Sequence, residues 1–212
     1  MCSGRVDLEF ILKAFLNGED GVLVGGCQLG ECNYTTQGNF DALSTVQLGK
    51  RILKHIGLYP ERLRVQFMSS SDGALLAEVT DDFTRQVKKL GPLGKAEGMD
   101  EKELKMKLEA ARKLVPYIKL VERERLRVPV KSEEAYEAFF SSEEMDRLFE
   151  ELIADKLSIS EIVSLLKENP LSTGEISKIL DLNPSAVAKH IQDSSKQGLI
   201  KYDESGKCYV LA

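Results

Sequence analysis

No stretch of this 212-residue sequence approaches the roughly 20 consecutive apolar residues that a bilayer-crossing helix requires. Its opening, Met1-Cys2-Ser3-Gly4-Arg5, has neither the apolar core of a signal peptide nor the amphipathic character of a transit segment. These absences lead us to expect a cytoplasmic protein with no membrane partner. Positive charge is also short, because 29 Lys and Arg against 34 Asp and Glu leave a formal net charge of -5. Proteins that neutralise phosphates along a nucleic acid concentrate cations on one surface, so nucleic acid is argued against as a partner, except locally. No Ser-His-Asp or Cys-His arrangement recurs with believable spacing, and Gly25-Gly26 followed by Cys27 is not a phosphate-binding loop. Without a visible catalytic set, the chain is expected to be non-catalytic in itself.

What the sequence does have is enough apolar residues, 42%, to bury a core. It also has four cysteines, and cytoplasmic thiols are kept reduced rather than paired in disulfides. Three of them, Cys2, Cys27 and Cys32, fall near the amino end, each close to a glycine, while Cys208 stands alone near the carboxyl end.

Across residues 1–94 helix-like and strand-like segments alternate in the manner of a parallel α/β domain. Leu8, Ile11, Leu12 and Phe15 predict a helix over Val6 to Asn17, closed by Asn17-Gly18. The run Gly21 to Gly26 predicts a strand buried on both faces. A helix is expected from Leu43 to Ile56, a strand from Arg62 to Met68, and a helix capped within Ser69 to Asp72 and running to Leu90. Residues 95–157 are rich in Glu, Lys and Arg, which suggests a charged helical arm whose Met99 to Arg127 part is exposed and bent or split at Pro116. Ser132-Glu133-Glu134 and Ser141-Ser142-Glu143-Glu144 have the form of helix starts. Over 158–212, three amphipathic helices, the third opened by Asn183-Pro184, precede a strand, a turn at Ser205-Gly206 and a second strand. That order predicts a winged helix-turn-helix domain.

In a parallel sheet the loops at the carboxyl ends of the strands face one side, where ligands collect. Cys27 and Cys32 follow the Gly21 strand, and Cys2 directly precedes the first helix, where an earlier strand would end. All three can therefore converge. Thiolates are the soft ligands that iron-sulfur clusters take, and glycines let backbone N–H groups approach the sulfurs. The C-x4-C spacing of Cys27 and Cys32 occurs among two-iron ferredoxins. The competing readings are buried structural cysteines, a zinc site, for which paired C-x2-C knuckles are absent, and a redox dithiol, which is more often C-x2-C.

Several motifs agree at once with one family. Cys2-Ser3-Gly4-Arg5-Val6-Asp7, Phe10 to Phe15, Asp20 to Cys27 and Gly30-Glu31-Cys32-Asn33-Tyr34 resemble the delta subunit of methyl-viologen-reducing hydrogenase over about the first ninety residues. The resemblance implies a subunit with a 2Fe-2S cluster that relays electrons between a hydrogenase or formate dehydrogenase and the flavin-containing subunit of heterodisulfide reductase, in a complex that performs electron bifurcation. Gln28 and Asn33 stand where the family typically has histidines. The family also carries a strand and a further cysteine before the Cys-Ser-Gly-Arg motif, whereas this sequence begins at Met1. Three ligands are then present where four are expected. Either the true amino end lies upstream, or another subunit or a non-cysteine ligand completes the site.

Other residues fit plainer roles. Cys208 reads as a half-buried strand residue of the wing. His190 is expected to be an exposed helix residue, and His55 a helix-end cation beside Gly57. Arg5 either faces the cluster or caps the helix and pairs on the surface. The last module has no arginine from Ser158 onward, and its third helix sets Lys189, His190 and Lys196 against Asp193, which favours a docking module over a DNA reader. The expected architecture is thus an incomplete flavodoxin-like α/β domain, a helical arm and a winged helix. The expected function is electron relay with Cys2, Cys27 and Cys32 holding the cluster. The competing reading is a redox-responsive winged-helix transcription regulator.

Overall fold

The computed structural model describes residues 2–34 and 37–212. Met1, on which the expectation about the chain start falls, lies outside them. The protein is mixed α/β, with ten α-helices and two small sheets among the described residues. After a 3-10 turn at Ser3–Arg5 comes α1, Leu8–Leu16, whose first turn is capped by the Asp7 carboxylate accepting from the Glu9 N–H at 3.0 Å. Leu8, Ile11, Leu12 and Phe15 form its buried face, as their spacing predicts. β1 runs over Val22–Cys27 and β2 over Leu63–Met68; they pair directly and in parallel, Val22 against Leu63 through Cys27 against Met68. Between them lies α2, Asn39–His55, and after β2 comes α3, Gly73–Leu90.

α2 begins four residues before the expected Leu43 because Asn39 and Phe40 are tied down by tertiary contacts. Asn39 is buried, and the Phe40 ring packs 5.2 Å from that of Tyr136. A salt bridge closes the other end of this module. The Arg62 guanidinium and the Glu97 carboxylate meet at 2.6 Å with both side chains almost wholly buried, and Arg62 also donates to the Asp20, Gly91 and Pro92 carbonyls.

The segment expected as an exposed charged arm is packed, which corrects that expectation. It forms α4, Glu101–Lys113, and α5, Val115–Arg125, split at Leu114 with Pro116 in the first turn of α5, where a missing N–H costs nothing. α6, Glu133–Phe140, and α7, Glu143–Phe149, start at the Ser132 and Ser142 caps. Leu108, Ala111, Val115, Ile118, Met145 and Ile153 are buried in one continuous core with α1, α2 and β2. The charges lie on the outer faces, so a charge-rich sequence conceals an apolar stripe.

α7 passes through a π-helical turn, Glu150–Ala154, into α8, Asp155–Glu168. One core ends at Leu157 and a second begins at Ile162 within this helix. α9, Thr173–Leu180, carries a complete capping box between Ser172 and Glu175, and α10, Pro184–Lys196, follows the Asn183 cap. β3, Ile200–Asp203, and β4, Cys208–Leu211, form an antiparallel hairpin, and Leu171 bridges to Tyr209. This order of elements is compatible with a winged helix. Among the described residues, no helix is long and apolar enough to cross a membrane.

Candidate metal centre

The start of the chain and the loop that leaves β1 meet at the carboxyl end of that strand. Cys27 is the last residue of that strand, Cys2 stands immediately before the Ser3–Arg5 turn, and Cys32 lies in the loop between β1 and α2. The Cys2 and Cys32 Sγ atoms are 3.8 Å apart. A disulfide requires about 2.05 Å, so these are free thiols. Two thiolates on one tetrahedral ion, with bonds of about 2.3 Å, are themselves about 3.8 Å apart. Among the described residues, no three or more His, Cys, Asp or Glu side chains stand close enough together to hold a metal ion as they are. Cys2 and Cys32 supply one correctly spaced edge of such a site, and the Cys27 thiol is near enough to interact with both.

Close backbone packing makes this approach possible. A Cβ added at Gly38 would lie 2.5 Å from Cys32 Sγ and 2.6 Å from the Tyr34 carbonyl oxygen. At Gly26 an added Cβ would meet Ser3 Oγ at 2.7 Å, so the turn carrying Cys2 can rest on β1 only where β1 has no side chain. Beside it, the Ser3 hydroxyl is buried with no hydrogen-bond partner among the described residues. Asn39, the first residue of α2, donates its side-chain amide to the Cys27 and Gln28 carbonyl oxygens at 2.9 and 2.8 Å and lies 3.7 Å from Cys27 Sγ.

The thiols are electrically unequal. The backbone N–H groups of Tyr34 and Asn39 point at Cys32 and, with the neighbouring Cys27 and Cys2 thiols, hold it below the ordinary thiol range. Burial of its sulfur pushes Cys27 up, as do the Cys32 thiol and the charge of Cys32 and Cys2. Because Cys27 as a residue is exposed, competition with its neighbours is the cause that matters for chemistry. Cys32 therefore loses its proton before Cys27. Three convergent thiols, donors from the start of a helix and a free buried hydroxyl fit an iron-sulfur group in donor chemistry.

The remaining expected residues fall elsewhere. Arg5 is exposed in the turn after Cys2. Cys208 is half-buried at the start of β4, in the separate hairpin. His190 is buried rather than exposed, with Nδ1 unpartnered among the described residues, because α10 turns that face into the protein. His55 lies at the end of α2, where burial, then His190 and Lys107, lower its pKa. It is held neutral, which corrects its expected role as a helix-end cation. Asn39 is the residue that pattern reading misses. Its only local signal is an Asn after a glycine at the head of a helical run.

The fold and the trio define a thiol-bearing α/β module joined to a unit of three helices and a hairpin. Residues 1–91 match the family described as methyl-viologen-reducing hydrogenase, delta subunit, and residues 160–202 match the bacterial regulatory protein, arsR family. The chain is 48% identical over 91 residues to an iron-sulfur subunit of the F420-non-reducing hydrogenase of Archaeoglobus profundus, covering 43% of this chain and 66% of that protein. It is 43% identical over 91 residues to an iron-sulfur subunit of the F420-non-reducing hydrogenase (vhu) of Methanococcus maripaludis, over 43% of this chain and 67% of that protein. A third relative is a subunit of the ferredoxin/F(420)H(2)-dependent CoB-CoM heterodisulfide reductase of Methanosarcina acetivorans, 43% identical over 94 residues, which are 44% of this chain and 12% of that protein. The chain thus spans less than two thirds of the Archaeoglobus relative and a small part of the Methanosarcina one. It belongs to the methyl-viologen-reducing hydrogenase delta subunit family.

Proposed function

We propose that this chain is an iron-sulfur electron-transfer subunit of a hydrogenase or heterodisulfide reductase complex, with Cys2, Cys27 and Cys32 holding a 2Fe-2S cluster whose fourth ligand comes from outside the described residues. The observation that carries this reading is the meeting of the three cysteines at the carboxyl end of β1, with two sulfurs at 3.8 Å. The names of the relatives, iron-sulfur subunits of hydrogenase and a heterodisulfide reductase subunit, support it. When bound, the cluster supplies one-electron transfer. The chain itself supplies thiolates, backbone N–H groups that stabilise negative sulfur, and a surface for partners. Those partners are a hydrogenase or formate dehydrogenase on one side and the flavin-containing heterodisulfide reductase subunit on the other, within a bifurcating complex in the cytoplasm. In the same reading, 1–94 is the core of a flavodoxin-like domain, 95–157 a helical brace on it, and 158–212 a winged helix used for docking.

The match to the arsR family over 160–202 favours a second reading, a redox-responsive regulator. Electrostatics weigh against it. On α10 the Lys189 ammonium is taken by Asp155 at 3.0 Å and that of Lys196 by Asp193 at 3.3 Å, which leaves little cationic surface for phosphates.

The relay is tested in the purified complex by following reduction of the heterodisulfide reductase flavin after electrons enter at the hydrogenase or formate dehydrogenase. Cys32→Ser is expected to abolish that transfer while hydrogenase or formate dehydrogenase activity with an artificial acceptor persists. Undiminished flavin reduction in the variant would remove this chain from the electron path.

A further inference from the structure

We infer that Asn39 is a positioning residue for the metal centre, which sets the Cys27 thiol by donating to the consecutive carbonyl groups of Cys27 and Gln28. This inference rests on the proposal that the three cysteines bind metal, and it names a residue that neither the motif spacing nor the matched families assign. Cys27 is the last residue of the ladder, paired with Met68, and is exposed, so the ladder sets its backbone but neighbours on the sheet do not hold the peptide that follows or the rotation of the thiol. Among the described residues, the Gln28 turn that follows is held locally by the hydrogen bond from Glu31 N to the Gln28 carbonyl at 3.0 Å.

Asn39 supplies the missing restraint from the far side of the loop. Its amide nitrogen lies 2.9 Å from the Cys27 carbonyl oxygen, 2.8 Å from that of Gln28 and 3.7 Å from Cys27 Sγ. An amide NH2 has two hydrogens. The two carbonyls take them, and the sulfur receives the residual edge of the same dipole. The side chain is 1% exposed, so water does not compete for these bonds. α2 is a long helix rooted in the core through Val46, Leu48, Ile52 and Leu53, which makes Asn39 a fixed point rather than a mobile one. Outer partners of this kind orient metal ligands, and their loss typically costs about 10- to 100-fold in metal affinity.

The test uses the full chain, anaerobic and reduced, titrated with Co2+ as a thiolate-seeking probe. Sulfur-to-cobalt charge-transfer absorption grows with the number of thiolates bound. The wild-type chain should show three-thiolate intensity. Asn39→Ser, too short to reach both carbonyls and well tolerated at a helix start, should bind about 10- to 100-fold more weakly, with intensity falling to the two-thiolate level of Cys27→Ser. Far-UV circular dichroism and melting temperature check that the fold survives. Asn39→Asp, of the same size but without the N–H donors, should behave like Asn39→Ser. Wild-type intensity and affinity in a folded Asn39→Ser would overturn the inference while leaving the cysteine site standing. Absence of charge-transfer bands in the wild-type chain would overturn both, since no thiolate site would exist for Asn39 to position.

Discussion

Three buried ionic residues show how far single positions can depart from their sequence signals. Arg62 and Glu97 are almost fully buried and satisfied by each other and by three carbonyls, which is the condition for tolerating a charge pair out of water. Glu161, on α8, is different, because one carboxylate oxygen has no partner among the described residues. Burial pushes its pKa up to about 7 from an ordinary 4.5; Lys107 opposes the shift and Glu103 adds to it. A carboxyl raised in the folded state contributes stability that is complete below about pH 4.5 and lost as pH rises towards 7. Glu161→Gln removes this titration. The wild-type protein is therefore expected to lose stability relative to Glu161→Gln between pH 5 and pH 8, by a margin on the order of 3 kcal/mol at most. Urea unfolding of both proteins at the two pH values measures it, and parallel pH profiles would contradict the assignment. At this scale the sequence was informative about where the amino-end cysteines lie, since the order of strand and helix starts brings Cys2 to Cys32 at the end of β1. It was silent on Arg62, Asn39 and Glu161, whose roles depend on partners as far as 42, 12 and 58 positions away in the chain, and it misplaced His190 on the surface.

Among the elements, those with strong local signals were legible. The caps Ser132, Ser142, Ser172 and Asn183 begin helices as their types suggest, and Pro116 divides α4 from α5. The start of α2 and the run of α7 through a π-helical turn into α8 were not, because packing of Phe40 on Tyr136 and burial of Ile153 and Leu157 override the local pattern. The role of the hairpin unit turns on α10, which would enter the major groove if that unit read DNA. Its Lys189 and Lys196 are paired with carboxylates and its histidine is buried. A gel-shift titration at moderate salt is therefore expected to show only weak, sequence-independent retardation. Specific nanomolar binding to a promoter fragment would favour the regulator instead.

As a whole, the molecule has one core uniting α1, α2, β2 and α4 to α7 and a second core under α8, α9, α10 and β3. Ser160 Oγ donates to the Ala110 carbonyl at 2.9 Å, and Lys102 pairs with Glu168 at 2.5 Å, so α4 and α8 join the two units. The alternation of elements and the three-helix-plus-hairpin order were readable from the sequence. The packing of 95–157 against the first module was not, since charge content reports the solvent face and hides the stripe beneath it. This arrangement sets the thiols at one end of a braced α/β unit. The central claim is that Cys2, Cys27 and Cys32 are ligands of one two-iron cluster. Its most direct test is low-temperature electron paramagnetic resonance of the reduced, anaerobically purified complex, with iron and sulfide counted, for the wild-type chain and Cys32→Ser. The account predicts that the variant assembles but loses one two-iron signal together with two irons and two sulfides per copy of this chain. An unchanged signal and unchanged iron content in the variant would contradict it.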